Sequence, residues 1–387
     1  MRAWALAVLV GGCGFQSSAG PKPPGGDAGD IPVDAPVEMA PDGMAPTNHV
    51  CLGTFVKVCA DVPVSALTLM TGTIDTADAS AASKCLGAGT YTTEPAVDAC
   101  VIAGRTIAIP DANTVTATGT RRLILMATES IQITGTLDAA SRHGKPSGPA
   151  ADAGPCPTNF RDPTSVVEGG GGWGGTFGLQ GNNGGNTPGG GIGGGAGSGL
   201  QIKALAGGCP GGKGGNNGGG NGGGAGGHGG GAVLLLAGQS VLIDGTVNAS
   251  GSGGNGGNAR GGGGGGGAGG MIALDAPMLR IPGKCFANGG GGGEGSSVVA
   301  GGAGGESSAP DKEAAGGTSI SVGGDGGRGG IATSGSRQGD NGATVGNPPL
   351  QDTGGGGAGG GGVGIIKIFS ADPGKTDDPK KVSPPPS

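Results

Sequence analysis

Apolar positions recur along this chain in a repeated pattern that is typical of short β-strands. Each copy has a run of about four apolar residues, a short break, an alternating apolar-x-apolar segment and a glycine. Alternation with a period of two is the signature of a strand with one buried face. Residues 123–139 align without gaps on 233–249, a third copy spans 271–287, and a shortened fourth copy spans 363–369. The pattern predicts a pair of short strands in each full copy.

Two short strands cannot bury their own apolar face, so successive copies are predicted to stack on one another. Residues 105–109 and 114–119 look like one further copy. The predicted fold class is therefore all-β: a short parallel β-solenoid with long glycine-rich insertions, preceded by a disordered tether. Cys285 aligns with Leu137 and Val247, which predicts a buried thiol that packs as a small hydrophobic side chain.

Unequal glycine-rich insertions separate the copies, at about 142–231, 251–270 and 289–362. Several contain x-Gly-Gly triplets, and three residues make one turn of a polyproline-II-type helix. Such a helix leaves two bare faces on which neighbouring chains can approach, so the insertions are predicted to form packed polyglycine-II helices. Because ordering glycine carries a high entropic cost, flexible loops are the alternative interpretation.

The N-terminus resembles a bacterial lipoprotein signal. Met1-Arg2 supplies a short positive start, 3–10 is apolar but too short to span a bilayer, and Val10-Gly11-Gly12-Cys13 resembles a lipobox. Cys13 is therefore the predicted lipidation site and first residue of the mature protein. The alternatives are an ordinary secretory signal with an incidental cysteine, or an apolar N-terminus without a role.

The residues after Cys13 have the composition of an extended tether. The stretch 17–46 is rich in Pro, Asp, Gly and Ala and has few residues able to support a core. Gly14 rather than Asp follows the cysteine, which by the lipoprotein sorting rule favours the outer membrane. The predicted organisation is a signal peptide at 1–12, a tether at 13–49, a small disulfide-bearing region at 50–104, a glycine-rich repeat domain at 105–371 and a disordered tail at 372–387.

Composition separates the chain from ordinary globular and disordered proteins. Its 102 glycines in 387 residues are about 26%, against an average usage of roughly 7%. Aromatic residues make up 2% and charged residues 13%, whereas a disordered chain usually carries more charge. The net charge is -6, and no basic stripe interleaved with aromatic residues occurs in the sequence, so nucleic acid is not a predicted partner.

Cysteine usage agrees with export to an oxidising compartment. Apart from Cys13, seven cysteines remain, and their spacing predicts three disulfides with Cys285 left over. The predicted pairs are Cys51 with Cys59, Cys85 with Cys100, and Cys156 with Cys209. A zinc site is the alternative, but the sequence has no CxxC and its three histidines are scattered, so no metal or other cofactor is predicted.

The abundance of glycine produces chance matches to ligand-binding motifs. Residues 207–213 read GxxxxGK as in a phosphate-binding loop, but Gly214 replaces the required Ser or Thr and no helix can follow. Residues 323–327 are similar to part of a calcium-binding nonapeptide, which does not recur as such repeats do. Nucleotide and calcium binding are therefore not predicted.

Catalytic motifs are also missing from the sequence, which has neither GxSxG nor HExxH. The remaining enzymatic route is a polysaccharide-active protein with clustered charged groups on one face. Its candidates are Asp138, Asp244, Asp275 and Arg280. They form no consistent ladder across the copies, so the chain is predicted not to be an enzyme.

The whole chain resembles the glycine-rich exported lipoproteins of Gram-negative bacteria, with a lipobox, a Pro/Asp-rich tether, a small cysteine-containing region and strand-glycine repeats in that order. Its repeat composition is also similar to the glycine-rich domains of mycobacterial surface proteins. Both resemblances imply a surface-exposed protein and neither supplies a catalytic residue. The expected function is a lipid-anchored structural or adhesive scaffold of the outer membrane.

The partners implied by that function are the membrane, reached through the lipid, and extracellular matrix, a glycan or further copies of the chain. The alternative function is a polysaccharide-binding or polysaccharide-active β-solenoid. Ice or surface-water binding by a flat polyglycine face is a third hypothesis.

Overall fold

The computed structural model describes residues 47–80, 83–87, 89–198, 201–319, 323–331, 354–374, 378 and 380–387. The predicted signal peptide, Cys13 and nearly all of the predicted tether lie outside these residues. The chain divides into two compact units, Met1–Met44 and Ala45–Ser387, and every described residue belongs to the second. The described residues contain no helix, and therefore none that could cross a membrane.

Seventeen strands are described, in a chain where apolar alternation and β-branched residues favour extended backbone. Their bounds are β1 Thr47–Leu52, β2 Lys57–Pro63, β3 Leu67–Thr68, β4 Gly72–Asp75, β5 Tyr91–Glu94, β6 Ala99–Ile109, β7 Thr114–Thr118, β8 Arg122–Ile133, β9 Thr136–Asp138, β10 Ala232–Ala237, β11 Ser240–Ile243, β12 Thr246–Asn248, β13 Met271–Asp275, β14 Met278–Arg280, β15 Lys284–Phe286, β16 Ile365–Phe369 and β17 Val382–Ser383.

The strands form three sheets. Strands β1, β2 and β5 make a small antiparallel sheet. The largest sheet has eight parallel strands, in which the long strand β8 pairs with β6 on one side and with both β10 and β11 on the other. The third sheet has six parallel strands in the order β17-β15-β12-β9-β7-β4. Parallel pairing of strands far apart in sequence requires the long connections that the glycine insertions supply.

Apolar cores lie on both faces of the largest sheet. One core joins this sheet to the six-stranded sheet and includes Leu125, Leu235 and Val247, all fully buried. The other contains the oppositely facing Ile124 and packs against Phe177 outside the strands. Because alternate residues of 123–127 in β8 and of β10 enter different cores, these stretches are apolar throughout rather than alternating with polar residues.

The repeats pair with one another as the alignment implies, except in one strand. Val233 pairs with Leu123 and Val247 with both Leu137 and Cys285, as predicted. The gapless alignment of the third copy would place Met271 opposite Val233, but Ile272 occupies that position. Asp275 pairs with Leu236 and Met278 with Ser240, so two residues of the third copy lie opposite three of the second. The strand shifts by one position to keep its apolar side chains on the correct faces.

The predicted parallel β-solenoid is wrong. The described chain is β-rich, with about 29% strand in largely parallel sheets and no identified solenoid. The prediction assumed that the chain would continue from copy to copy around one stack. Instead it leaves the sheets between copies, and the inserted glycine segments satisfy their backbone groups among themselves.

These insertions form a layer of hydrogen-bonded segments, called here the glycine array. It comprises segments 169–175, 209–215, 224–230, 249–255, 261–269, 290–296 and 356–362. The amides of Gly263, Gly266 and Gly269 each donate over 3.0 Å to segment 356–362, so the same neighbour is met at every third residue. Segment 356–362 donates in turn to 169–175, and 169–175 donates back to the central segment, which closes a cycle of three parallel segments.

Segment 261–269 is central because it exchanges hydrogen bonds with the six other segments of the glycine array. Its successive amides donate to 356–362, to 249–255 and to 209–215, while its carbonyls accept from 169–175, 224–230 and 290–296. Every face of the segment is therefore occupied by backbone at hydrogen-bonding distance. Side chains are excluded from such faces for steric reasons, which explains the long runs of glycine.

Two of the segment boundaries predicted from the sequence, at residues 104 and 372, differ from the strand bounds in the structure. The tail predicted to be disordered from residue 372 contains β17, which pairs with β15, and Cys285 donates its amide to the carbonyl of Lys381 over 2.8 Å. The Pro-rich end can complete this sheet because an edge strand can supply carbonyl acceptors even where proline lacks an N–H. Strand β6 also crosses the boundary predicted after residue 104.

Cys285 provides a test of this packing. It is a free, buried thiol between β12 and β17, and burial raises its pKa to about 12. In a Cys13→Ser variant with intact disulfides, we expect a thiol reagent at pH 8 to label Cys285 more than about a thousandfold more slowly than in denaturant, since only the thiolate reacts. Rapid labelling of the native protein would contradict the described core.

Candidate functional site: an aromatic cleft beside the glycine array

The six paired cysteines predicted from the sequence form disulfides in the structure. They are Cys51–Cys59, Cys85–Cys100 and Cys156–Cys209. The first links β1 to β2, and the second ties a loop to β6. The third closes the longest loop, with a sequence separation of 53, and it lies in the wall of a cleft. The predicted lipidation site, Cys13, lies outside the described residues.

This aromatic cleft has a volume of about 400 Å³ and lies beside the glycine array. That volume falls in the range of small-molecule sites, roughly 300–1,000 Å³. Its lining consists of Cys156, Pro157, Phe160, Asp162, Trp173, Thr176, Gly197, Cys209, Pro210, Gly211, Gly212 and Lys213. The lining thus combines an aromatic pair, a disulfide, bare glycine backbone and both signs of charge.

Phe160 and Trp173 form the aromatic part of the cleft. Their rings are stacked, with centroids 4.5 Å apart and planes inclined by 28°. Phe160 remains 39% exposed despite this stacking, so an aromatic surface is available to solvent. Exposure of a large aromatic side chain at a concave site is typical of ligand-binding surfaces.

The glycine array provides the position in which Trp173 sits. The Trp173 carbonyl accepts the Gly212 amide over 2.7 Å, and a Cβ added at Gly212 would lie only 2.5 Å from the indole Nε1. A Cβ at Gly194 would lie 2.8 Å from the Cδ1 atom of the same ring. The indole therefore packs directly on backbone, and its orientation depends on glycine at these positions.

The loop that carries Phe160 is fixed at several points. Cys156 is tied to Cys209 by the disulfide, and Arg161 exchanges two backbone hydrogen bonds of 2.9 and 2.8 Å with Gly195. The Asn159 side chain donates to the Ser198 hydroxyl over 3.1 Å. These ties hold the aromatic cleft in its shape without a ligand, which reduces the entropy lost on binding.

Polar groups of both kinds surround the aromatic pair. Asp162 and Lys213 are exposed and bring opposite charges to the rim, while the Thr176 hydroxyl is buried and donates to the Gly197 carbonyl over 3.0 Å. The Nε1–H of Trp173 is buried and finds no acceptor among the described residues. A buried donor without a partner costs about 1–3 kcal/mol.

The four residues predicted for the polysaccharide-active alternative lie outside the lining of the aromatic cleft. Asp138 pairs with Arg142 at 2.6 Å, and Asp275 accepts the backbone amides of Thr54 and Phe55 in the β1–β2 turn. Asp244 is exposed at the end of β11. The contacts of Asp138 and Asp275 therefore assign these two residues a structural role.

Arg280, the fourth candidate, pairs with Asp372 at 2.8 Å on an exposed surface. The hydrogen bond from this guanidinium lowers the pKa of the Asp372 carboxyl below its ordinary value. Both side chains line a shallow depression together with Asp378 and Lys381. The structure therefore places Arg280 in an ion pair rather than beside the other three candidates.

Two glutamates are buried inside the glycine-rich region. Glu168 accepts the Gly189 amide over 3.0 Å, and Glu294 accepts the Gly302 amide over 2.7 Å. Each side chain is fully buried and has a second oxygen without a partner among the described residues. Among the described residues there is no group of three or more His, Cys, Asp or Glu placed to hold a metal ion. The glutamates therefore act as internal ties that close glycine turns.

His228 and Asp152 make the stability of the glycine array sensitive to pH. Nδ1 of His228 lies 2.6 Å from Oδ2 of Asp152, and this hydrogen bond raises the pKa of His228. Because the pKa of His228 is higher in the folded than in the unfolded protein, protonation of His228 stabilises the fold. This stabilisation is complete at pH values below the unfolded-state pKa of about 6.5, and it is lost as the pH rises through the folded-state pKa. Since the His228 side chain is 55% exposed, the effect is below about 1 kcal/mol.

We therefore expect the urea midpoint of the wild-type chain to fall between pH 5.5 and 8.5 by more than that of His228→Gln. Parallel pH profiles of the two proteins would contradict this assignment.

No protein-family model, curated protein or solved structure matches this chain.

Sequence reasoning missed Phe160 and Trp173, although one signal could have found them. Aromatic residues make up only 2% of the chain, yet these two lie 13 positions apart, and Trp173 stands within an otherwise unbroken run of glycine. A large side chain in such a tract has to leave the packed backbone at an edge. The pairing of the two rings depends on the disulfide and on the Arg161–Gly195 contact, which sequence spacing does not specify.

Proposed function

We propose that this protein is a non-catalytic, lipid-anchored adhesive scaffold, in which the glycine array holds the aromatic cleft in a fixed shape. The observation that carries the proposal is the position of Trp173. Its indole packs on the backbone of Gly212, and its main-chain carbonyl accepts a hydrogen bond from the Gly212 amide. A binding site built on hydrogen-bonded backbone is preorganised. The three disulfides support an oxidising, exported location.

The lining of the aromatic cleft supports binding rather than catalysis. Among the described lining residues, Asp162 and Lys213 are the ionisable side chains, and both are exposed. General acid-base catalysis usually relies on groups whose pKa is tuned by burial or by close neighbours. An aromatic stack with a polar rim is better suited to holding a ligand.

The lipid anchor is part of the proposal and rests on the sequence from Met1 to Cys13. A Cys13→Ser variant tests it. The wild-type chain should incorporate labelled fatty acid and sediment with outer membranes, whereas Cys13→Ser should lose the label and appear in the soluble exported fraction. Unlabelled wild-type protein would exclude the anchor.

Adhesion is tested with the full-length chain immobilised on beads and offered whole bacterial cells, matrix proteins and polysaccharides. Saturable binding or self-association is the expected result. Absence of both would exclude the adhesive function. Polysaccharide turnover by the wild-type chain would contradict the non-catalytic function, and turnover that persists in Asp244→Ala and Asp275→Ala would exclude those two residues as its catalytic groups.

A further inference from the structure

We infer that the aromatic cleft binds a neutral sugar residue of a surface or matrix polysaccharide. The inference rests on the proposed adhesive function and specifies the ligand class of the same site. It follows from the kind of groups that the cleft brings together: an exposed aromatic ring beside donors and acceptors of hydrogen bonds.

The aromatic groups define one face of the ligand. A pyranose ring presents a patch of C–H groups that packs on the face of an aromatic ring, and Phe160 is 39% exposed on top of Trp173. Stacking on Trp173 fixes the orientation of the Phe160 ring, so little side-chain entropy is lost when a flat apolar surface packs on it. The backbone of Gly197, Gly211 and Gly212 forms part of the wall against which such a ring would lie.

The polar groups define the edge of the ligand. Asp162 can only accept hydrogen bonds when ionised, and Lys213 can only donate them. A ligand that satisfies both must carry groups that donate and accept around an apolar ring, which describes a sugar with several hydroxyls.

A proline-rich peptide is the main competing ligand because such peptides also bind aromatic grooves. Each proline lacks an N–H, so such a peptide offers the Asp162 carboxylate fewer donors than the hydroxyls of a sugar do. Polyanionic ligands are disfavoured by the net charge of -6 and by Asp162 at the rim. These comparisons favour a neutral glycan.

The chain contains an internal reporter for this site. Its two tryptophans are Trp4, within the predicted signal peptide, and Trp173 in the aromatic cleft. In the full-length Trp4→Phe protein, the intrinsic fluorescence of Trp173 should change saturably when a neutral oligosaccharide binds. The probes are defined oligomers of glucose, galactose, mannose and N-acetylglucosamine in α and β linkages.

Variants of Phe160 provide the decisive comparison. We expect Phe160→Ala to weaken oligosaccharide binding about tenfold or more, and Phe160→Tyr to keep it within about threefold because the ring is retained. Val298→Ala is the matched control, since Val298 is 86% exposed and lies outside the lining of the cleft. Asp162→Asn and Lys213→Gln should each weaken binding by about threefold to tenfold.

Each outcome decides the inference. Saturable binding that Phe160→Ala weakens and Phe160→Tyr preserves supports it. Three results overturn it: no oligosaccharide in the panel binds, bound sugar leaves Trp173 fluorescence and the Phe160→Ala affinity unchanged, or a synthetic peptide of residues 17–46 binds the cleft in place of any sugar. If cells still bind the immobilised chain in those cases, the adhesive function survives; if they do not, that function fails as well.

Discussion

Replacement of Gly265 by alanine is expected to destabilise the protein by on the order of 3–5 kcal/mol. Gly265 is buried in the central segment of the glycine array, where its amide donates to Gly212 and its carbonyl accepts from Gly227, both over 2.8 Å. An added Cβ would overlap the carbonyl of Trp173. The surrounding atoms are backbone, so no side chain can rotate away and the segments must move apart.

The expected loss is measured as the shift of the urea unfolding midpoint, with Trp173 fluorescence in the Trp4→Phe background as the probe. The matched control is Gly72→Ala in β4, where a new Cβ meets its nearest atom, the Met70 carbonyl oxygen, at 4.0 Å. That substitution should change stability by less than about 1 kcal/mol, because an alanine there is unstrained and restricts the unfolded chain. Equal midpoints for Gly265→Ala and Gly72→Ala would show that the array is not closely packed.

Removal of the Cys156–Cys209 disulfide is the second large effect. The double variant Cys156→Ala/Cys209→Ala releases a loop with a sequence separation of 53, and chain entropy assigns about 4 kcal/mol to such a crosslink. The same change also frees the wall of the aromatic cleft beside Phe160. We therefore expect a lower unfolding midpoint together with weaker ligand binding.

Cys51→Ala/Cys59→Ala is the control for this variant. Its disulfide closes a separation of only 8 residues, for which the same relation gives about 2.5 kcal/mol, and it lies outside the lining of the cleft. Binding should therefore be unchanged in the control, measured at a temperature where both variants remain folded. A larger loss of stability in the control, or equal loss of binding in both, would contradict the assigned role of Cys156–Cys209.

Short-range patterns predicted the strands and the cysteine pairs well. Alternation of apolar residues placed the strands of the first two full copies, and their gapless alignment gave the observed pairing of Leu123 with Val233. It also gave the buried position of Cys285 opposite Val247. These features depend on local periodicity and on which face of a strand is buried, and both can be inferred from one sequence without an alignment.

Long-range features could not be predicted in the same way. Which glycine segments become neighbours depends on hydrogen bonds between residues such as Gly172 and Gly263, and glycines carry no side-chain pattern that distinguishes one partner from another. The solenoid prediction failed for this reason, since it treated the insertions as additions to a single stack. The register shift at Ile272 depends on a single residue between two strands. The pairing of β17 depends on the edge of β15 being free to accept another strand.

The function of the aromatic cleft depends on the order of the glycine array, because the indole of Trp173 rests on glycine backbone. If the array were mobile, Phe160 and Trp173 would not keep a common geometry, and the cleft would lose its preorganisation. The entropy lost on ordering so many glycines is opposed by hydrogen bonds that engage every face of the central segment. The cleft therefore requires that this segment be ordered.

Hydrogen exchange of the glycine amides in the full-length protein measures whether the central segment is ordered. The amides of 262–267 donate to three neighbouring segments and are buried, so they should exchange at least about a thousandfold more slowly than an unstructured peptide, at rates comparable with β10. Exchange of these amides at the rate of an unstructured peptide, while β10 stays protected, would contradict an ordered array and the cleft that is built on it.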